Sequence, residues 1–210
     1  MIKIITEQML LSLREQISDS MGGKRYSHTL GVEREAEKLA RLYCSEKINL
    51  LRATALLHDL TKEYTSEEHF RVMRDHGIDT GYYALLSHKI YHSLTASLII
   101  PEQYPEFADD ELIRAISVHT TGDADMSLTD KLIYLADYIE DTRTFEDCVK
   151  LREYFWSGIE RGEDKYKHLD RTLLLSFDMT IRDLIDNNNV ISDKTVEARN
   201  SLLLSMNKGE

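Results

Sequence analysis

Residues 55–63 read ALLHDLTKE, an apolar run that ends in the polar pair His58 and Asp59. The run extends back to Asn49 with apolar residues at helical spacing, which predicts a buried helix that Asn49 caps and that ends near His58. Lys62 follows Asp59 by three residues. An imidazole and a carboxylate therefore stand side by side where the chain is otherwise built for burial, and their role depends on partners elsewhere in the sequence.

The composition favours a single all-α domain. A chain of 210 residues is long enough for one large domain, and the shares of hydrophobic residues, 42%, and charged residues, 30%, are ordinary for a globular protein. Sheets joined by tight turns need many Gly and Pro residues, whereas this sequence has nine Gly and two Pro. We therefore predict one domain over residues 1–210, without repeats or a linker.

The helical period predicts the elements of this domain. The first helix is expected to end near Gly22. Later helices are expected over about 24–44, 49–58, 65–76, one or two stretches of 82–100, 109–119, 127–139 and two or three stretches of 144–206. Capping boxes are predicted at Thr65 with Glu68 and at Ser127 with Asp130. Pro101 and Pro105 are expected to close the helix that precedes them. Leu10, Leu11, Leu13 and Ile17 mark the first helix.

Charge and segment composition exclude several classes of partner. The formal net charge is −11, and an acidic surface repels the phosphate backbone, so we expect no DNA binding. No apolar run approaches the roughly 18 residues of a membrane span, and residues 1–16 lack a secretory signal. Cys44 and Cys148 form no CxxC motif. These features predict a cytoplasmic protein with reduced thiols, and a homodimer stays open.

Polar residues recur on the inward faces of the predicted helices. In chain order they are His28, His58, Asp59, His92, His119 and Asp137. Each alone would be an ordinary hydrogen-bonded core residue, but the whole set is better explained by a metal site. Imidazole and carboxylate ligands suit iron, manganese, cobalt, nickel or zinc. Asp59 has two oxygen atoms and could bridge two ions. Asp137 lies in a very apolar segment and needs a cationic partner, but no Lys or Arg is one turn away.

This ordered set resembles the HD-domain phosphohydrolase superfamily. RYSHTLGVEREAEKLA (25–40), ALLHDLTK (55–62), YHSLTAS (91–97) and SVHTTGDADMSLTDKLIYLADYIEDTR (117–143) together resemble the bacterial symmetrical diadenosine-tetraphosphate hydrolase family over about residues 20–160. The resemblance implies an HD-domain helical bundle, with residues 161–210 as C-terminal helices on the core. It also implies a bound metal, most often iron, with Mn, Co, Ni, Mg or Zn as alternatives and one or two ions, and cleavage of diadenosine tetraphosphate into two ADP.

The resemblance also assigns residues. The implied metal ligands are His28, His58, Asp59 and Asp137, and His92 and His119 could serve a second metal or a phosphate. The implied nucleotide or phosphate contacts are Arg25, Asp59, Leu60, Thr61, Lys62, His92, His119, Asp137 and Arg143. The implied catalytic residues are Asp59, Lys62 and His119. The chain departs from the family where an Ile-Glu-Pro-Gly-Arg turn becomes IEDTR at 139–143, so the path to Arg143 is expected to differ.

Elementary chemistry gives compatible roles to these groups. A metal ion lowers the pKa of bound water, Lys62 and Arg143 would offset phosphate charge, and Asp59 and His119 would assist proton transfer. Two rivals stay open. The substrate could be another nucleotide, as for nucleotidases and for alarmone or cyclic-dinucleotide hydrolases, or the protein could sense nucleotides without catalysis.

The remaining histidines and aromatic residues receive plainer expectations. His69, His76, His88 and His168 are expected at the surface, and Tyr154, Phe155 and Trp156 in packing. Tyr64, Tyr82 or Tyr83 could stack on a base, but the sequence does not rank them.

Overall fold

The computed structural model describes residues 4–208, which form helices, turns and loops without a β-strand. Eleven α-helices lie in this range: α1 (Glu7–Ser20), α2 (Gly23–Tyr43), α3 (Ile48–Leu57), α4 (Ser66–Asp75), α5 (Thr80–Tyr83), α6 (Tyr91–Gln103), α7 (Asp110–Val118), α8 (Leu128–Ile139), α9 (Glu146–Glu160), α10 (Lys165–Asp186) and α11 (Asp193–Lys208). The all-α prediction is confirmed. The domain prediction over 1–210 includes residues 1–3 and 209–210, which lie outside the described range.

The predicted signals for helix starts and ends are confirmed at two helices and wrong at two others. The capping boxes of Thr65 with Glu68 and of Ser127 with Asp130 are both present. The prediction that Asn49 caps α3 is wrong, because the helix already begins at Ile48 and the Asn49 amide donates to Ile5 O at 2.9 Å. Pro101 does not close its helix either, since α6 continues to Gln103.

Two apolar clusters make up the interior, and α3 belongs to both. The first cluster joins α2, α3, α8, α9, α10 and α11, with Ala115 of α7, and includes Val32, Leu39, Ala55, Leu135, Phe155, Phe177 and Ala198. The second joins α1, α3, α6 and α7 and includes Leu10, Leu13, Leu56, Leu57, Ile100 and Ile116. Every residue of α3 from Leu51 to Leu57 is buried, including Arg52, which is paired with Glu7 and Glu33. The end of α3, where His58 follows, therefore lies deep inside the bundle.

The burial of several side chains corrects the sequence expectations. His69 and His168 were predicted at the surface, but they are 3% and 0% exposed. The charged residues beside them in sequence lie on the opposite helical face, so local composition was misleading. Tyr154, predicted in packing, is 37% exposed. His88 is exposed, as predicted.

No helix between residues 4 and 208 combines the length and the apolar character that a membrane crossing requires. The two cysteines, Cys44 and Cys148, are both buried and free.

Gly122 couples the turn after α7 to the C-terminal helices. Its φ is +68°, a conformation that L side chains rarely adopt, and an added Cβ would lie 2.5 Å from Phe177 Cζ and 2.8 Å from Ala198 Cβ. We predict that Gly122→Ala lowers the free energy of unfolding by about 2–4 kcal/mol, because left-handed strain and overpacking add. Urea unfolding followed by circular dichroism would measure this loss.

Gly77→Ala is the matched control for this prediction. Gly77 has a similar φ of +72°, but an added Cβ would meet no atom within 4 Å. The control should lose only the backbone term, about 1 kcal/mol. Equal losses in the two variants would show that the close approach of Phe177 and Ala198 contributes nothing.

The burial of His69 predicts acid sensitivity. Burial lowers the pKa of His69 from 6.5 to about 4, with a smaller contribution from the charge of His92. Because the unfolded chain then binds a proton more readily, stability is full above pH 6.5 and falls as the pH decreases toward 4, by up to about 1.4 kcal/mol per pH unit. We expect His69→Gln to lack this share of the slope. Denaturant unfolding of both proteins from pH 7.5 to 4.5 would measure the difference in slope, to which the other histidines do not contribute because both proteins contain them. His88 is exposed, and the control variant His88→Gln should keep the wild-type slope.

Candidate metal centre

Five helices deliver the predicted ligand residues to one point in the bundle. His28 lies in the second turn of α2, His58 and Asp59 directly follow α3, His92 is the second residue of α6, His119 follows α7, and Asp137 lies in the last turn of α8. His58, Asp59, His92 and His119 are buried, and the side chains of His28 and Asp137 are 11% and 20% exposed. The structure thus brings all six residues together, although they are spread over more than a hundred positions of sequence.

Four of these residues form the inner group: His28, His58, Asp59 and Asp137. His28 Nε2 lies 3.0 Å from Asp137 Oδ1 and 3.6 Å from Asp59 Oδ2. His58 Nε2 lies 3.7 Å and 3.5 Å from the same two oxygen atoms. One ligand atom each from His28, His58 and Asp137 falls within 4.8 Å of the others. These separations allow the group to surround a single ion.

The hydrogen bonds of the two inner histidines orient their free nitrogen atoms toward this point. His28 Nδ1 donates to Glu140 Oε1 at 3.0 Å, and His58 Nδ1 donates to Ala55 O at 2.6 Å. The Nε2 atoms of both rings are buried and, within residues 4–208, have no hydrogen-bond partner, although both face the carboxylates of Asp59 and Asp137. Metal-binding histidines are commonly held in this way, by a carboxylate or a backbone carbonyl on the other ring nitrogen. The donor set therefore fits a divalent metal ion.

Asp59 links the inner group to a second group formed with His92 and His119. His92 Nε2 lies 3.1 Å from Asp59 Oδ1 and 3.0 Å from His119 Nε2, and His119 Nδ1 bonds to Ile116 O at 2.7 Å. His58, Asp59 and His119 also offer ligand atoms within 4.8 Å of one another. Asp59 thus presents Oδ2 to the inner group and Oδ1 to the second group, which is the geometry that a bridging carboxylate requires.

Three cations border these carboxylates. Arg25 Nη1 contacts Asp59 Oδ2, and Arg143 donates to Asp137 Oδ1 at 2.5 Å and to Asp137 O at 2.6 Å. Lys62 Nζ lies 3.2 Å from the ring nitrogens of His92 and 4.0 Å from Asp59 Oδ1. Arg143 is the cationic partner that the sequence analysis could not find for Asp137, because the loop after α8 folds back over the end of that helix.

The surrounding charges set the protonation of the centre. Burial would raise the pKa of both aspartates, but the imidazoles of His58 and His92 hold the pKa of Asp59 well below its usual range. Arg143 and the inner histidines do the same for Asp137. Burial lowers the pKa of His28, yet Asp137 and Glu140 outweigh it and raise that pKa to about 9. Burial and neighbouring imidazoles lower the pKa of His119. The carboxylates are therefore ionised at neutral pH.

Glu140 belongs to the centre but was not predicted. It is fully buried and accepts hydrogen bonds from His28 Nδ1 and from the backbone and hydroxyl of Thr142. Gly31 makes room for it, since a Cβ at that position would lie 2.2 Å from Glu140 Oε2. The position of Glu140 three residues after Asp137 was the available sequence signal.

Two of the predicted nucleotide contacts have structural side chains. Thr61 is fully buried, and its hydroxyl donates to His92 O at 3.1 Å and pairs with Thr95 Oγ1 at 2.8 Å. The Leu60 side chain packs against the second apolar cluster. Any contact of these two residues with a nucleotide would therefore involve their backbone atoms, while Thr61 fixes the start of α6.

The predicted stacking aromatics occupy different surroundings. The rings of Tyr82 and Tyr83 pack on each other with centroids 5.6 Å apart, and Tyr64 packs beside His69 at 5.8 Å. None of these contacts involves a residue of the metal centre, so the structure gives these tyrosines no particular link to a bound nucleotide.

An all-α bundle with this ordered set of histidines and aspartates defines a class of metal-dependent hydrolases. Residues 25–142 match the model of the HD domain family, and the chain belongs to that family. The match covers more than half of the chain and includes every residue of the inner and second groups.

Relatives narrow this class. The chain is 30% identical over 179 residues to the symmetrical bis(5'-nucleosyl)-tetraphosphatase of Staphylococcus aureus, covering 84% of this chain and 86% of that protein. It is 29% identical to the protein of the same name from Halalkalibacterium halodurans, covering 86% and 89% of the two chains. A crystal structure from Clostridium acetobutylicum, described as a "predicted HD superfamily hydrolase involved in NAD metabolism", superposes with a TM-score of 0.78 at 32% identity, over 92% of this chain and 96% of that one.

The bond between Glu140 and His28 predicts a loss of metal affinity without loss of the fold. Glu140→Gln keeps an acceptor for His28 Nδ1 but removes the negative charge, so the ring becomes a weaker ligand. We expect about a 10- to 100-fold weaker affinity for a divalent ion, as for other residues that orient metal-binding histidines. Calorimetric titration of metal-stripped protein with Mn²⁺ would measure it.

Glu35→Gln is the control for this experiment. Glu35 is also a buried carboxylate, 3% exposed. It accepts a hydrogen bond from Trp156 Nε1 at 2.8 Å rather than from a histidine. This variant should bind Mn²⁺ like the wild type. A Glu140→Gln protein with unchanged Mn²⁺ affinity would contradict the positioning role of Glu140.

Proposed function

We propose that the protein is a metal-dependent hydrolase that cleaves diadenosine tetraphosphate symmetrically into two molecules of ADP. The observation that carries this proposal is the buried imidazole and carboxylate centre bordered by Arg25, Lys62 and Arg143. Such a centre combines ligands for a metal ion with cations for a polyphosphate. The names of the relatives that match most of the chain support this substrate and the symmetrical cleavage.

The proposed metal ligands are the inner group, with His92 and His119 available for a second ion or for a phosphate. Iron is the proposed metal, because the resemblance to the symmetrical diadenosine-tetraphosphate hydrolases implies it; the nitrogen and oxygen ligands suit iron and equally several of the alternatives, which are Mn, Co, Ni, Mg and Zn. A metal ion at this point would supply Lewis acidity toward phosphoryl oxygen and make water more acidic. Side chains of the protein orient the water molecule, transfer protons and bind the phosphates.

The proposed reaction breaks the central phosphoric anhydride. The oxygen atom of a water molecule forms a bond to one of the two central phosphorus atoms, and the bridging P–O bond on its other side breaks. Asp59 orients the water, and His119 is placed to accept or return a proton because its Nε2 lies within the second group. Both products are then ADP, and both protons of the water molecule are released when the two new terminal phosphates are fully ionised.

The cations would position the polyphosphate. Arg143 is a planar fork suited to two phosphate oxygens, and Lys62 acts as a point charge beside His92. Arg25 lies on the α2 side of Asp59. Cations on more than one side of the centre suit a substrate whose phosphate chain extends in both directions from the bond that breaks. They also reconcile a formal charge of −11 with an anionic substrate.

Product identification tests this function. Protein loaded with Fe²⁺ or Mn²⁺ should convert diadenosine tetraphosphate to ADP as the sole nucleotide, resolved by ion-exchange chromatography. A mixture of ATP and AMP would contradict symmetrical cleavage. Faster hydrolysis of a mononucleotide, a cyclic dinucleotide or an alarmone in a parallel panel would replace the proposed substrate.

Site variants test the proposed centre. The double variant His58→Ala with Asp59→Ala removes one inner histidine and the proposed bridging carboxylate, so it should lose both the bound metal and hydrolysis by at least about 10³-fold. Elemental analysis and the product assay would measure these losses. Unchanged metal content together with unchanged hydrolysis would exclude the catalytic centre and favour a nucleotide-sensing protein.

A further inference from the structure

Two cavities share Arg143 and Phe145 in their linings, and one of them also reaches His28 of the metal centre. The phosphate-side cavity, about 400 Å³, is lined by Lys24, Arg25, His28, Arg143 and Phe145 among others. The aromatic-side cavity, about 540 Å³, is lined by Tyr138, Arg143, Phe145, Met179 and Thr180 among others. Both volumes fall within the range of about 300–1,000 Å³ that is typical of small-molecule sites.

Phe145 is exposed at the junction of these cavities. It precedes α9, its side chain is 72% exposed, and it makes no capping hydrogen bond. Exposure of a single aromatic residue is ordinary by itself. Here, however, Phe145 follows Arg143 by two positions and lines the same two cavities, and Arg143 donates to Asp137 through Nε and Nη2. An exposed apolar ring therefore lines the same cavities as a cation of the metal centre.

The two cavities differ in the chemistry of their walls. The phosphate-side cavity has three basic groups, Lys24, Arg25 and Arg143, which suit phosphate oxygens, beside the carboxylates of Glu63 and Glu140. The aromatic-side cavity has the rings of Tyr138 and Phe145 and the thioether of Met179, which suit the flat face of a base. Its lining also includes Lys89, Glu146, Asp147 and Asp183, which offer polar partners to the edge of a base or to a sugar. A nucleotide has one part of each kind, joined by a sugar, and Arg143 borders both cavities.

We propose that Phe145 stacks on a nucleobase of the substrate in the aromatic-side cavity, while Arg143 binds the adjoining phosphate. This inference rests on the proposed function for the identity of the substrate. Stacking of a base on an aromatic side chain is worth about 1–3 kcal/mol and tolerates any base. Phe145 therefore distinguishes nucleotides from inorganic polyphosphate, and it binds one of the two bases of a dinucleoside substrate.

Calorimetric titration of the metal-loaded protein with ADP and, separately, with inorganic tripolyphosphate tests the proposal. Phe145→Leu should weaken ADP binding by about 5- to 150-fold, the range that corresponds to loss of one stacked base. Its affinity for tripolyphosphate should equal that of the wild type, since that ligand has no base. Phe145→Trp should retain ADP binding, because it keeps an aromatic face.

Tyr166→Leu is the control for removal of an exposed aromatic residue. Tyr166 lies in the first turn of α10, is 51% exposed and packs on Tyr43 of α2. This variant should bind both ligands like the wild type, and circular dichroism should show the same helix content in all variants.

The outcomes separate this inference from the proposed function. Wild-type ADP affinity in Phe145→Leu, or an equal loss of ADP and tripolyphosphate binding, overturns the stacking role while the product assay can still support the hydrolase. A wild-type protein that binds no ADP also overturns the stacking role. If that protein hydrolyses no diadenosine tetraphosphate either, the proposed function fails with it.

Discussion

Burial of two carboxylates, Asp59 and Asp137, inside an apolar bundle is the constraint on which the arrangement of this protein depends. An ionised carboxylate in such an interior is strongly unfavourable without partners. Each one therefore has an arginine on its outer side, Arg25 or Arg143, and histidines on its inner side. The same groups that make burial tolerable also leave imidazole nitrogens and carboxylate oxygens directed at a common point.

The helices serve this arrangement in different ways. The helix α3 is buried from Leu51 to Leu57 and contributes to both apolar clusters. It thereby brings His58 and Asp59, which follow it, into the interior. Backbone carbonyls at Ala55 and Ile116 then hold two of the imidazoles, and Glu140 holds a third. The ends of helices, rather than their middles, supply most of these groups, because a terminal turn can offer both a side chain and a free carbonyl.

Features that depend on local chemistry could be predicted from the sequence. Capping boxes, the helical periods and the ordered histidines and aspartates are such features, and they gave the fold class and the six residues that meet at the centre. The partner of Asp137 could not be found, because Arg143 reaches it through a loop whose path depends on tertiary contacts. The role of Glu140 depends on the space above Gly31 in a distant helix. The burial of His69 and His168 was missed because charged neighbours in sequence occupy the opposite helical face.

The close approach at Gly122 shows that the cooperative folding unit extends beyond the segment that the family model matches. The matched segment ends at residue 142, yet the turn that follows His119 is covered by Phe177 of α10 and Ala198 of α11. At the other end, Leu10 and Leu13 of α1 complete the second apolar cluster although they precede the match. A fragment trimmed to residues 25–142 would hold every ligand residue but expose the apolar surfaces that keep them in place. The smallest unit that folds autonomously is thus larger than the segment that the family model matches.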